Sequence, residues 1–498
     1  MYAIGFDLGS SSVKASIVAI DNSQVIATGK FPDFEMPIQA KKLGWAEQNP
    51  EMWWQNVCTL TQTLLKENHI DSLNIKSIGI GYQMHGLVLV DKNKNVLRPS
   101  IIIWCDSRAS SIGEQAFHDL GSEYCLGHLL NSPGNFTASK LKWVKENEPD
   151  IFAKIHKWML PGDYIAMKFT GEILSTSSGY SEGMFWDFKN NKPSTVLMEY
   201  YGIPSEIMPD IENTFSIQGK LTKQAAENSG LAVGTPVTYR AGDQPNNAVS
   251  LKVLQPGDVA ATGGTSGVVY AVTDKLDYDA QSRVNGFVHI NHTTEQNRIG
   301  QLLCINGCGI LYAWMRKNIA LTEMTYQKLE KEIEQIPVGC EGLLILPFGN
   351  GSERMLNDKM IGARIDNLQF NIHSRWHMFR AALEGIVFSF AYGVDILKSI
   401  GVRPSVIKVG NDNLFLSKTF SDTMANLLQC NIEMYDTTGA TGAAKASMVS
   451  LGEYANIDEA IEKMKPIKIT EYKSDNSQYL YTYNAWLKQL NVLINTNH

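Results

Sequence analysis

Two short turns of closely similar chemistry stand about half a chain apart. The first follows Asp7 and reads Gly9-Ser10-Ser11-Ser12, with Lys14 just beyond. The second reads Gly263-Gly264-Thr265-Ser266-Gly267. Each is entered from an apolar run, Tyr2 to Phe6 or Val259 to Thr262, and left into another. Small residues leave backbone N–H groups and hydroxyls unobstructed, which a polyphosphate needs because its oxygens must be approached closely. Two such turns suggest two half-sites closing on one nucleotide. Neither is a Walker A loop. The nearest match, Gly439 to Ser447, spaces its glycines wrongly, which disfavours a P-loop fold.

Two carboxylates accompany the turns. Asp7 ends an apolar strand, where its charge costs desolvation unless a cation arrives, and a magnesium-nucleotide would be that cation. The alternative is an aspartate capping its own turn. Asp243 sits in Gly242-Asp243-Gln244, near mid-chain. Between two closing domains such a group can accept a hydroxyl proton, an assistance worth ~10² to 10⁴ in rate. Taken alone it also reads as an ordinary turn aspartate.

A polyol pocket needs an apolar face together with acceptors and donors. Gln83-Met84-His85-Gly86 lies between two predicted strands, where amide and imidazole could both bond sugar hydroxyls. Trp104-Cys105-Asp106-Ser107-Arg108 adds a ring, a carboxylate and a guanidinium. An ion pair beside a core tryptophan is an equal reading of that second cluster.

The elements that would hold these groups are legible. The opening reads as a meander, Tyr2 to Phe6, Val13 to Ile20 and Val25 to Thr28. Asn49-Pro50-Glu51 is a helix start, with Asn49 as cap and Pro50 at the first helical position, leading a helix from Met52 to Lys66. Strands follow at Ser77 to Gly81 and Leu87 to Val90. From Gly121 to Asn228 the pattern is mixed and reads as insertions around a simpler core. Beyond a domain boundary placed near residue 245, Phe379, Leu383, Ile386 and Phe390 mark one helix face, and Leu416, Phe420, Met424, Leu427 and Leu428 another. A strand from Asn431 to Tyr435 then meets a polar turn that opens a small-residue helix.

Composition sets outer limits. At 498 residues the chain exceeds one compact core, so two domains, 1–245 and 246–498, are expected. Charged residues make up 19% and sum to a net −7 without a basic block, which argues against nucleic acid as partner. No uncharged apolar run approaches the ~20 residues that span a bilayer. The start lacks the basic region of a secretory signal. The seven scattered cysteines have no metal-site spacing, and reduced thiols in a cytoplasmic protein are expected.

Taken in order and spacing, Asp7-Leu8-Gly9-Ser10-Ser11, Gly44-Trp45-Ala46-Glu47-Gln48-Asn49-Pro50, Gln83-Met84-His85-Gly86, Leu97-Arg98-Pro99 with Trp104-Cys105-Asp106-Ser107-Arg108, Gly242-Asp243 and Gly264-Thr265-Ser266-Gly267 resemble the FGGY carbohydrate kinases. The resemblance runs from residue 1 to about 450. It implies an α/β molecule of two domains of the actin, hexokinase and Hsp70 kind, a duplicated mixed-sheet core with ribonuclease H-like topology and a cleft between. It implies transfer of the ATP γ-phosphate to a ketopentose, first D-xylulose at its C5 hydroxyl. Asp243 would be the proton acceptor and Asp7 would help hold Mg²⁺. Gln83, Met84, His85, Trp104, Asp106, Arg108 and Gln244 would line the sugar. Ser10, Ser11, Lys14, Gly264, Thr265 and Ser266 would hold phosphates, and Gly410, Asn411 and Asn413 would lie along the adenosine. A homodimer is left open.

Three departures from the family pattern stand out. Gln244 replaces a common asparagine; Gly410-Asn411-Asp412-Asn413 replaces a run of glycines, tolerable if the asparagines take positive φ; and Ser352-Glu353-Arg354 follows a shifted glycine. Two competing readings are therefore carried: another sugar or polyol kinase of the same family, or a catalytically silent nucleotide-binding protein of the same fold.

Overall fold

The computed structural model describes residues 1–320 and 324–496. Its opening meander is β1 (Tyr2–Leu8), β2 (Val13–Ala19) and β3 (Val25–Phe31), each antiparallel to the next. Helix α1 (Pro50–Glu67) starts as its sequence dictates, the Asn49 side chain accepting from the Glu51 N–H at 2.9 Å. Strand β4 (Ile75–Tyr82) lies parallel to β1, and β5 (Val237–Gly242) lies parallel to β4. The first sheet therefore runs β5-β4-β1-β2-β3. Helix α2 (Asp243–Ser250) leaves the end of β5.

The second half repeats the plan. Strands β6 (Val259–Gly263), β7 (Gly267–Thr273), β8 (Asn285–Val288) and β9 (Ile299–Ile305) form its antiparallel side, β9 lying between β7 and β8. A hairpin of β10 (Leu344–Phe348) and β11 (Gly362–Asp366) stands apart as its own two-stranded sheet. After the long helix α3 (Arg375–Ser399) come β12 (Val406–Gly410), helix α4 (Lys418–Leu428), β13 (Asn431–Tyr435), helix α5 (Gly439–Ser447) and β14 (Lys468–Thr470). The second sheet runs β8-β9-β7-β6-β12-β13-β14. Its central five, β9-β7-β6-β12-β13, match the first sheet strand for strand, antiparallel pairs on one side and parallel on the other. This is the duplicated mixed-sheet core.

Two sequence expectations shift. Leu416 belongs to a short 3₁₀ turn before α4 and is 61% exposed, because Ser417 caps α4 and excludes it from the helix face. The halves are also not divided by sequence alone. Helix α5, from the second half, packs on the first sheet, where methyls added at Gly5 or Gly79 would fall 2.1 Å from the Ala440 carbonyl or 2.0 Å from that of Ala443. Such close approach of helix to strand needs glycine on one side and alanine on the other.

Candidate active site

The close seating of α5 carries its first residue to Asp7. A methyl added at Gly439 would lie 2.9 Å from Asp7 Oδ2. Asp7 faces Lys14 across the β1–β2 ladder, Nζ to Oδ2 at 3.9 Å, and its side chain keeps 18% exposure. Burial holds this carboxyl above its ordinary value, and the Lys14 charge opposes. Beyond it the first turn is closed by Gly9 N–H donating to the Ser12 carbonyl at 3.1 Å.

Asp243 opens α2 directly after β5 ends. Burial pushes its carboxyl up to about 7, the Asp7 charge adds to the rise, and Gln244 N–H groups and Lys14 work against it. Such a group is half ionised near neutrality, where a general base works best. Asn246 of the same helix donates to the Gly439 carbonyl at 2.9 Å, tying α2 to α5 and Asp243 to Asp7. The Gln244 amide is engaged with Asp243, on the acid's side of the site.

The Gln83–His85 loop continues from β4. Gln83 N–H donates to the Leu8 carbonyl at 2.7 Å, and its amide donates to Gln48 Oε1 at 3.3 Å. Gln48 donates in turn to the Ser10 carbonyl at 2.7 Å, so one relay joins this loop to the first turn. Met84 packs on Gly242, where a methyl would meet its Cγ at 2.5 Å. His85 takes a left-handed φ of 61°. Its Nδ1 lies 2.9 Å from the Glu182 carbonyl, an acceptor only, so Nδ1 carries the proton and Nε2 is left as an acceptor. Burial pushes the His85 pKa down to about 3, which keeps the ring neutral. The ring stands 4.7 Å from that of Phe136 and 5.5 Å from that of Phe287 on β8, so His85 lies at the seam of the two halves.

Glu182 is a member that sequence reasoning missed. It is buried, its Oε1 accepts from His85 N–H at 3.4 Å, and its Oε2 has no hydrogen-bond partner among the described residues. A methyl on Gly242 would lie 2.3 Å from that Oε2. Burial raises its pKa well above the usual carboxylate range, with the Asp243 charge adding to the rise. Arg354 was quoted from sequence only as part of a family motif. Its Nε donates to the Ser282 carbonyl at 2.8 Å, and its charge lowers the pKa of His85 from across the seam.

The tryptophan cluster divides. Trp104 is 51% exposed. Asp106 and the Arg108 side chain are buried and paired, with Nη2 to Oδ2 at 2.7 Å and a second bridge from Arg108 to Glu47 at 2.8 Å, while Arg108 Nη1 has no hydrogen-bond partner among the described residues. The Arg108 guanidinium lies 3.7 Å from the ring centroid of Trp45, and Arg98 also bridges Glu47, at 2.9 Å. Burial alone would raise the Glu47 carboxyl, but hydrogen bonds from Ser100 and Arg98 and the guanidinium charges hold it down at about 2. This is the ion-pair arrangement, with the Arg108 side chain 1% exposed.

In the second half, the Gly264 and Thr265 carbonyls each accept at 3.1 Å, from the N–H groups of Gly309 and Ile310. The second turn is thereby anchored from behind, and Thr265 and Ser266 remain exposed. Asn413 adopts φ of 51°, the conformation that lets an asparagine stand for glycine, and its amide nitrogen lies 3.9 Å from where a Gly264 methyl would be. Asn411 does not take positive φ; its N–H donates to the Tyr435 carbonyl at 3.0 Å. The structure thus gathers Asp7, Lys14, Met84, His85, Asp243 and Gln244 in one cluster, and Gly264 with Asn413 in a second. Cys304 on β9, paired with Val268 just past the second turn, feels the Asp243 charge and links the two.

Solved structures share this architecture over nearly the whole chain. Xylulose kinase from Rhodospirillum rubrum superposes with a TM-score of 0.87 at 24% identity, covering 99% of each chain. Plasmodium falciparum glycerol kinase with ADP does so with a TM-score of 0.87 at 17% identity, covering 99% of this chain and 98% of that one. The fold is thus that of the two-domain sugar kinases. Residues 2–250 match the N-terminal domain, and 259–451 the C-terminal domain, of the FGGY family of carbohydrate kinases. The chain belongs to that family and is a sugar-phosphorylating enzyme, a phosphotransferase. Xylulose kinase of Bacillus subtilis (strain 168) is 27% identical over 99% of this chain and 98% of its own length. Among the described residues no helix is long and apolar enough to cross a membrane.

Proposed function

We propose that the enzyme transfers the γ-phosphoryl group of ATP to the C5 hydroxyl of D-xylulose, with Asp243 as the base. The observation that carries this reading is the placement of Asp243 at the start of α2, beside Asp7 on one side and the Met84–His85 loop on the other. The acceptor hydroxyl, lodged against His85 Nε2 and Met84, would give its proton to Asp243 as the new P–O bond forms and the bond to the β-phosphate oxygen breaks. Lys14 and the backbone N–H groups of the two turns would balance charge on the transferring group. Xylulose kinase similarity at this identity supports the sugar assignment.

Magnesium fits the donor set. Asp7, whose side chain keeps 18% exposure beside the first turn, offers one carboxylate to the metal, and Asp243 is left to act as the base. Mg²⁺ in kinases is held in that way, by one or two carboxylates together with phosphates and water. When bound, it would neutralise phosphate charge. Closure of the cleft would keep water from the phosphoryl group.

A second reading, another sugar as substrate, is favoured by Gln244, whose amide is turned to Asp243. Magnesium-dependent ADP release from ATP with D-xylulose, D-ribulose, L-ribulose, L-xylulose and glycerol decides between them. Selective stimulation by D-xylulose and a phosphorus–carbon coupling at C5 of the product support the first reading. Stimulation by a different sugar overturns its sugar assignment, and stimulation by none favours the silent nucleotide-binding protein.

A further inference from the structure

Strand β8 belongs to the second sheet, yet its outer edge is held by the first half. Gly286 N–H donates to the Leu130 carbonyl at 3.2 Å, and the Gly286 carbonyl accepts from Asn131 at 2.7 Å. Val288 N–H donates to Ser181 Oγ at 2.9 Å, and its carbonyl accepts from Ser178, also at 2.9 Å. The strand is thereby fixed at the seam. One of its side chains is left unsatisfied. Asn285 is 7% exposed, and its Oδ1 has no hydrogen-bond partner among the described residues. A buried amide oxygen without a donor costs stability, so its retention points to a donor that arrives from outside the chain.

The face that carries this oxygen is turned to the sugar loop. Side chains two apart on a strand share a face, so Asn285 lies on the same side as Phe287, whose ring stands 5.5 Å from that of His85. Across the ladder Asn285 pairs with Leu302 of β9, which packs in one apolar cluster with Phe287 and Met84. Cys304 follows two residues farther along β9, again on that face. Burial raises the Cys304 thiol to about 11, the Arg354 charge opposes and the Asp243 charge adds to the rise. Asn285 therefore stands along the seam between the level of Phe287, where His85 lies, and the level of Cys304, where Asp243 is felt.

We propose that Asn285 is a specificity-determining sugar contact supplied by the second half, its Oδ1 accepting from a hydroxyl of the bound sugar other than the one phosphorylated. The contact rests on the reading that the Met84–His85 loop holds the sugar, and it adds the opposite wall. His85 Nε2 and Asn285 Oδ1 are both acceptors, one from each half, and a polyol carries donors for both. Only a closed cleft offers the two together, so the hydroxyl that Asn285 reads is also one that favours closure.

The test compares wild type with Asn285→Leu on D-xylulose and on its 1-deoxy, 3-deoxy and 4-deoxy analogues, by kcat/KM of magnesium-dependent ADP release. Leucine keeps the volume and drops the orphaned oxygen, so the sugar-free thermal midpoint is expected to hold or rise. For D-xylulose, kcat/KM is expected to fall about tenfold or more, with the KM for ATP unchanged. On the one analogue that lacks the partner hydroxyl the loss is expected to vanish. Asn285→Ala is carried in parallel, so that a leucine that does not fit leaves the test standing. A kcat/KM that neither substitution lowers, or a loss equal on all four sugars, overturns the contact and leaves the sugar reading in place. A wild type that D-xylulose does not stimulate overturns that reading and the contact with it.

Discussion

Gly439, at the first position of α5, presses its backbone against Asp7: a methyl there would stand 2.9 Å from Oδ2 and 3.0 Å from Cγ. The residue that holds this carboxylate in place is 432 positions away in sequence and comes from the other half of the chain. Gly439→Ala is therefore expected to push Asp7 from its seat while the fold survives. Displacement of a positioning group by about 1 Å can cost ~10² in rate. Steady-state kinetics should show kcat falling by that order with the thermal midpoint little changed.

The carboxyl of Asp243 is raised to about 7, burial first and the Asp7 charge second. As a base it must be ionised, so kcat/KM of the free enzyme is expected to rise with pH through about 7. The sign for stability is opposite. With a folded-state pKa above the unfolded value of 3.8, Asp243 contributes stability at low pH that is lost as pH rises through about 7. Asp243→Asn should therefore gain stability over wild type at alkaline pH, measurable as a difference in urea midpoint.

Arg108 and Glu47 form a buried bridge of 2.8 Å under the Trp45 ring. Removing Arg108 leaves Glu47 its bridge to Arg98 but takes from the buried Asp106 its 2.7 Å bridge, at a cost of about 3–5 kcal/mol. Arg108→Met is expected to lower the urea midpoint accordingly. The sugar KM of the remaining folded enzyme should change less than about threefold. A large rise in KM with stability intact would return Arg108 to the sugar pocket.

Glu182 holds His85 from two sides, by its carbonyl at 2.9 Å and its Oε1 at 3.4 Å. Glu182→Gln keeps the side-chain acceptor and should retain most activity. Glu182→Ala keeps the carbonyl contact but removes the Oε1 contact and leaves space behind Gly242, and the sugar KM is expected to rise a few-fold while the ATP KM holds. The split between the two constants identifies positioning of the sugar loop.

Much of this architecture could be read from sequence, for reasons that are local. Strands β1, β2, β6 and β7 announce themselves by apolar runs broken at glycine and serine, and Asn49-Pro50-Glu51 carries its own capping chemistry. Strand β13 ends and helix α5 begins where the polar turn at residues 436–438 says they must. What escaped depends on contacts between distant residues. Glu182 lies in an aromatic-rich insertion with no periodic signal, and only the fold shows it behind Gly242. For Asp106 and Arg108 the sequence leaves a sugar contact and an ion pair as equal readings, because Glu47, which bridges Arg108, is about sixty residues away. The boundary near 245 falls inside α2, and the return of α5 to the first sheet is invisible in a linear pattern. Its alanines and glycines were the one hint, since so small a helix face implies close approach to something.

The central claim is that Asp243 is the base for phosphoryl transfer to a bound sugar. Its most direct test is D-xylulose affinity by calorimetry alongside D-xylulose-dependent ADP release, for wild type and Asp243→Asn. The account predicts that the variant binds the sugar within a few-fold of wild type and loses ~10² or more in turnover. Near-normal turnover in the variant would contradict it.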